Sequence, residues 1–193
     1  MKHLRLLIAF ISLLIGCNNS NPDSIKNKDV QKVNKKHNIK EKIAGLWYSN
    51  DTVDIQKETV TDVGVKSKME EYVSYKQNGL YKNYGTVKYI ISNNGRQFVA
   101  KYKFSFNGKW DVFDDKLYET INVNDFQFQY LGTDASRYED KYIIKNFNNR
   151  IIESIRDALI ELNGKPITVL SLDDNKLVIK DFDDEIIQYK RLK

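Results

Sequence analysis

Few side chains in this sequence can carry out covalent or metal chemistry, and most of them lie near its start. The two histidines are His3 and His37, and the one cysteine is Cys17. In Ser-His-Asp and Cys-His catalysis an imidazole takes the nucleophile's proton, and an ordinary zinc site needs histidine or thiolate ligands. All three residues precede Ile43, where the folded body is expected to begin, so that body lacks the parts for both chemistries. Carboxylates remain at Asp114-Asp115, Asp173-Asp174 and Asp181-Phe182-Asp183-Asp184-Glu185. Such groups could ligate calcium or form an acid and base pair on a glycan. The last cluster lacks the glycine and glutamate spacing of an EF-hand loop. Asp and Asn also bond their own backbone in turns, which is the role expected here. Glycine-rich phosphate loops are absent. The body is expected to be no enzyme, with no catalytic residue, no metal and no cofactor.

The elements that position these groups begin with a leader. Lys2 and Arg5 precede the apolar run from Leu6 to Ile15, which ends at Gly16. That run is shorter than the ~20 residues a membrane-spanning helix needs, and a basic start, short apolar core and small residue form a secretory signal. Residues 1–16 are therefore expected to be a signal peptide. Residues 17–42 are rich in Asn, Lys, Ser and Asp, with isolated Ile25, Val30, Val33 and Ile39. So few apolar side chains cannot offset the entropy of ordering, which predicts a disordered tether.

Residues 43–193 form the expected domain, long enough for one real core. From Ile43 onward 22 basic residues meet 23 acidic ones, so the excess of positive charge belongs to leader and tether. The body gives no compositional case for nucleic acid, while the basic tether is either a segment that hugs anionic headgroups at a membrane or a solvated linker. Once Cys17 is modified, no thiol is left for a disulfide.

Within the body, period-two alternation dominates. Phe98, Ala100, Tyr102, Phe104 and Phe106 fall on one face of a strand, with Lys101 and Lys103 on the other. Similar runs lie at Val53–Val60, Met69–Lys76, Leu80–Ile91, Trp110–Phe113, Lys116–Val123 and Phe126–Leu131. Turns are expected at Asn78-Gly79, Asn94-Gly95, Asn107-Gly108 and Asp114-Asp115, because these residues tolerate positive φ. From Asn146 to Asn163 the period changes: Phe147, Ile151, Ile155, Leu159 and Leu162 mark an amphipathic helix, stopped by Asn163-Gly164 and Pro166. Strands resume at Ile167–Leu172, Lys176–Lys180 and Glu185–Arg191. The fold class is mainly β, an antiparallel barrel of about eight strands with one helix near the C-terminal third. Twelve Tyr, nine Phe and two Trp could line a cavity or fill the barrel; a filled interior is favoured, since eight strands leave room for little more than side chains.

Two motifs resemble known families. Leu14-Ile15-Gly16-Cys17 resembles the lipobox of bacterial lipoprotein signal peptides, which implies cleavage before Cys17, lipidation of that residue, and a palmitate-bearing membrane anchor. Asn18, in place of an aspartate retention signal, implies the outer membrane, facing the periplasm, in an organism that has one. Gly45-Leu46-Trp47, at the start of the body, resembles the Gly-x-Trp signature of lipocalins and of looser lipocalin-like domains of bacterial lipoproteins. That resemblance implies that Gly45, Trp47 and a late arginine, Arg191, close the bottom of the barrel. Gly108-Lys109-Trp110 repeats the pattern. The chain departs from lipocalins by placing three strands after the helix, so no ligand site is carried over.

The function these resemblances imply is a membrane-anchored periplasmic lipoprotein with a lipocalin-like domain that binds a small apolar or envelope-derived ligand. The alternative is a protein-binding inhibitor or immunity lipoprotein that neutralises an envelope-acting toxin or hydrolase. The expected partners are the membrane, through the anchor, and either a small apolar ligand or an envelope protein.

Overall fold

The computed structural model describes residues 39–57 and 63–193. The expected signal peptide, Cys17 and the tether up to residue 38 lie outside the described residues, as do residues 58–60 of the expected Val53–Val60 strand. The chain is already helical at residues 39–43, ahead of the expected body, with Ile39 packed on the core and Ile43 fully buried.

Eight strands follow: β1 (Gly45–Lys57), β2 (Val63–Tyr75), β3 (Leu80–Asn93), β4 (Arg96–Phe113), β5 (Lys116–Thr133), β6 (Pro166–Leu172), β7 (Lys176–Lys180) and β8 (Ile186–Leu192). One long helix, α1 (Tyr138–Leu162), stands between β5 and β6. Every strand pairs antiparallel with its sequence neighbours, and β8 returns to β1 through Leu46↔Leu192, Trp47↔Arg191 and Tyr48↔Lys190. The ring is a closed barrel, so no strand is left with an unpaired edge along its whole length.

Alternation sets which side chains enter the barrel. On β3, Tyr81, Asn83, Val87, Tyr89 and Ile91 are buried, and on β4 the expected set from Phe98 to Phe106 is buried. The Asn94-Gly95 and Asp114-Asp115 turns both place two successive residues at positive φ, the geometry that matches strand twist in two-residue hairpins.

Two expected breaks are absent. Asn107-Gly108 is no hairpin: it lies inside β4, paired with Lys82 and Tyr81 on one side and with Asn122 and Ile121 on the other. A Cβ on Gly108 would sit 2.3 Å from the Thr120 carbonyl oxygen and 2.4 Å from the Tyr81 ring. Glycine is needed there for close approach, not for a turn. The runs Lys116–Val123 and Phe126–Leu131 likewise fuse into β5, which bulges where Ser105 pairs with Gln127 but Asn107 pairs with Asn122.

The helix is also longer than its apolar period predicts, starting at Tyr138 rather than Asn146. Its first turns are held by tertiary contacts: Asp140 is buried with an oxygen 3.0 Å from the Arg96 guanidinium, and Ile144 joins the core. Glu139 and Asp140 also suit the positive end of the helix dipole.

Strand lengths explain where the helix goes. β1 to β5 run 13 to 18 residues, whereas β6 to β8 run five to seven. β5 pairs with β6 only over Lys116–Tyr118, so most of β5 has no strand neighbour on that side. Helix α1 covers the gap, placing Ile144, Ile151, Ile155 and Leu159 in one core with Tyr89, Tyr102 and Phe104. The Asn163 side chain then bonds the Ile121 backbone, and the Gly164 N–H donates to the Glu119 carbonyl at 2.9 Å, fixing the helix end to β5.

Candidate functional site

At the barrel end where β1 begins, a tryptophan and an arginine meet. The Arg191 guanidinium carbon lies 4.2 Å from the centre of the Trp47 ring, and Nη1 donates to the Ala44 carbonyl at 2.8 Å. Nη2 donates to the Lys42 carbonyl. Trp47 is fully buried and its indole N–H donates to the Ile43 carbonyl at 2.7 Å. Gly45 has φ +150, and a Cβ there would stand 2.4 Å from Arg191 Nη1. Trp110, from the second Gly-x-Trp, occupies the same end: its ring meets Tyr75 edge-on at 5.1 Å and its N–H donates to the Lys76 carbonyl. Lys40 lies over that ring at 5.3 Å and pairs with Asp111 at 3.0 Å. These contacts pack the barrel end where β8 pairs with β1.

Further inside stands a polar cluster. Glu71 on β2 is 1 % exposed, and its two oxygens accept from Asn83 Nδ2 at 2.6 Å and from the Tyr189 hydroxyl at 2.8 Å. Glu119 on β5 is 7 % exposed and accepts from the Tyr75 hydroxyl. A buried carboxylate is tolerated only when donors replace its water, and phenols with an amide do so here. Asn83 and Glu119 border a narrow cavity of about 20 Å³, together with Phe106, Ile121, Leu162, Lys165 and Asp181. That is room for about one water, far too little for a sugar ring. A wider groove of about 480 Å³ lies beside Leu46, Lys76, Leu80, Lys82 and Tyr84. Tyr84 stacks on Tyr72, which meets Tyr48, so an aromatic row crosses three strands.

Under helix α1 the interior is aromatic. Phe147 lies 4.9 Å from Tyr89 and 6.3 Å from Tyr102, and Tyr102 stacks on Phe128 at 4.7 Å. The Tyr102 hydroxyl donates to Asn148 on the helix. Burial pushes the Tyr89 phenol far above its ordinary value, with the neighbouring Tyr102 adding to the effect, and burial does the same to Tyr102. Both phenols therefore stay neutral and cannot serve as bases near pH 7.

The sequence-selected carboxylates separate into different roles. Asp114 and Asp115 form the β4–β5 turn. Asp173 caps the β6–β7 turn, accepting from the Asn175 and Lys176 N–H groups, which holds its carboxyl below the usual range. Asp181 turns one oxygen to the Asp183 and Glu185 N–H groups but is itself 5 % exposed and faces the cavity. Burial, then the nearby Asp181 charge, pushes the Asp183 carboxyl up. Among the described residues, no group of three or more His, Cys, Asp or Glu side chains is placed to hold a metal ion.

Glu71, Asn83 and Glu119 escaped the sequence analysis, although a signal was present. Each sits in phase with the inward face of its strand: Glu71 with Val73 and Tyr75, Asn83 with Tyr81 and Val87, Glu119 with Leu117 and Ile121. A polar residue on a core phase marks a buried network or a site.

The architecture defines a closed eight-stranded antiparallel barrel whose long side is covered by one helix. No family model matches the chain, and a search of curated proteins finds no significant match.

Proposed function

We propose that this chain is a lipid-anchored envelope protein whose lipocalin-like barrel acts by binding a protein partner on its outer surface, as an inhibitor or immunity lipoprotein would. The observation that carries this reading is the filled interior: the α1 stripe and the Tyr89, Tyr102, Phe128 and Phe147 rings occupy the space where a lipocalin-like carrier would hold its ligand. The cavity left beside Glu119 admits about one water. Absence of histidine and free thiol from the body supports binding over catalysis. Tyr84 in the groove beside Leu80, and the exposed Tyr138 and Tyr142 on α1, are aromatic side chains of the kind enriched where proteins bind one another.

The anchor is tested by labelling cells with a fatty acid: Cys17→Ser should lose the label and release the protein from the membrane. The binding mode is tested by native mass spectrometry and a fluorescent fatty-acid probe on purified protein. No stoichiometric small molecule is expected in either, whereas cross-linking in the envelope should trap one protein partner at a fixed ratio, weakened by Lys82→Glu. A bound lipid at one per chain would return the function to ligand carriage.

A further inference from the structure

We propose that the water-sized cavity between the barrel interior and the C-terminal end of α1 binds a single divalent cation through oxygen atoms of Asn83, Glu119 and Asp181. The three residues come from β3, β5 and the β7–β8 turn, and all border the same space of about 20 Å³. Each is more than nine-tenths buried.

The hydrogen bonds decide which atoms remain for a ligand. Glu71 takes the Asn83 amide nitrogen, which fixes the amide's orientation and leaves Oδ1, buried and without a hydrogen-bond partner. Asp181 spends Oδ1 on the turn N–H groups, and its Oδ2 is likewise buried without a partner. These two lone acceptors, one amide and one carboxylate oxygen, stand beside the Glu119 carboxylate and suit a positive or proton-donating occupant.

Size and charge narrow that occupant. The space excludes any organic amine larger than a water. All-oxygen donors favour hard ions such as Ca²⁺ over zinc or copper, and two carboxylates balance a double charge. Lys165 also borders the cavity, but its Nζ is committed to Glu161 at 3.1 Å and to the face of the Phe182 ring, 3.9 Å from its centre. The site joins two carboxylates to an amide rather than three acidic side chains.

The test uses purified, chelator-treated protein. Ca²⁺ should raise Tm saturably at one ion per chain. Tb³⁺, a calcium mimic, should show tyrosine-sensitised emission because the Tyr75 hydroxyl touches Glu119, and Ca²⁺ should quench that emission by displacement. Asp181→Asn should weaken binding at least about tenfold, while Asp173→Asn, on an exposed turn, should not. The proposal is overturned if Ca²⁺ gives no saturable response up to about 10 mM, above the range of weak calcium modules, or if Asp181→Asn responds like the parent, in which case the cavity holds water. Should that variant fail to fold, absence of sensitised Tb³⁺ emission in the parent overturns it equally.

Discussion

The Arg191 guanidinium carbon lies over the Trp47 indole, 4.2 Å from its centre, while both terminal nitrogens donate to carbonyls of the entering chain. Residues 144 positions apart are thereby joined at the seam where β8 meets β1. The contact combines a cation on an aromatic face with hydrogen bonds from a charged donor. These contribute about 0.5–2 kcal/mol and about 1.5–3 kcal/mol respectively.

Arg191→Ala should therefore lower unfolding free energy in urea by about 2–4 kcal/mol. Arg191→Lys should recover less than half of that loss, because an ammonium cannot stack and fork together. Gly45→Ala should also destabilise, since the new Cβ meets Arg191 Nη1 at a φ that suits glycine. Combined with Arg191→Ala it should cost less than the sum of the two. Strict additivity in that double-mutant cycle would mean the two positions are uncoupled.

Tyr189→Phe removes the phenol that donates to Glu71 Oε2 and leaves a buried carboxylate oxygen short of a donor. The expected loss is about 1–3 kcal/mol. Glu71→Leu with Tyr189→Phe should be less costly than the separate losses imply, because no charge is left to solvate. Urea melts of the three variants check this.

Phe147→Ala should cost about 1–3 kcal/mol, less than a fully buried phenylalanine, by opening a void between α1 and the Tyr89 and Tyr102 rings. The same variant tests the filled interior directly. If aromatic packing is what excludes apolar ligands, the variant should bind an environment-sensitive apolar dye inside the barrel and the parent should not. Equal dye binding by both proteins would refute the connection.

Asp173 gives a pH prediction with a definite sign. Its folded carboxyl is held below the ordinary value by the Asn175 and Lys176 N–H groups. The stability it contributes is present above the unfolded value and is lost as pH falls through the folded one. Asp173→Ala should therefore lower Tm at pH 7, and the gap from the parent should shrink as pH falls below about 4. A gap independent of pH would assign the effect to the side chain's shape, not its charge.

Much of the fold was legible because period two and period 3.6 are imposed by side-chain direction alone. The inward set on β4, the core stripe of α1 and the turns at Asn94-Gly95 and Asp114-Asp115 follow from residue order. Asn107-Gly108 was illegible because glycine serves both turns and close approaches, and only the Thr120 backbone and Tyr81 ring distinguish them. The first two turns of α1 were illegible because Arg96, far off in sequence, holds Asp140 there.

The candidate site divides the same way. By itself the sequence determined the strand phases, the lack of histidine and free thiol in the body, and the motifs at Cys17, Gly45 and Trp47. It also put Glu71, Asn83 and Glu119 on inward phases. Only the closed barrel decided that these three, with Tyr75, Tyr189 and Asp181, converge, because convergence depends on register between strands and on where the helix ends. Alternation is a property of one strand, whereas a site is a property of distances between several, and those are set by the packing of the whole core.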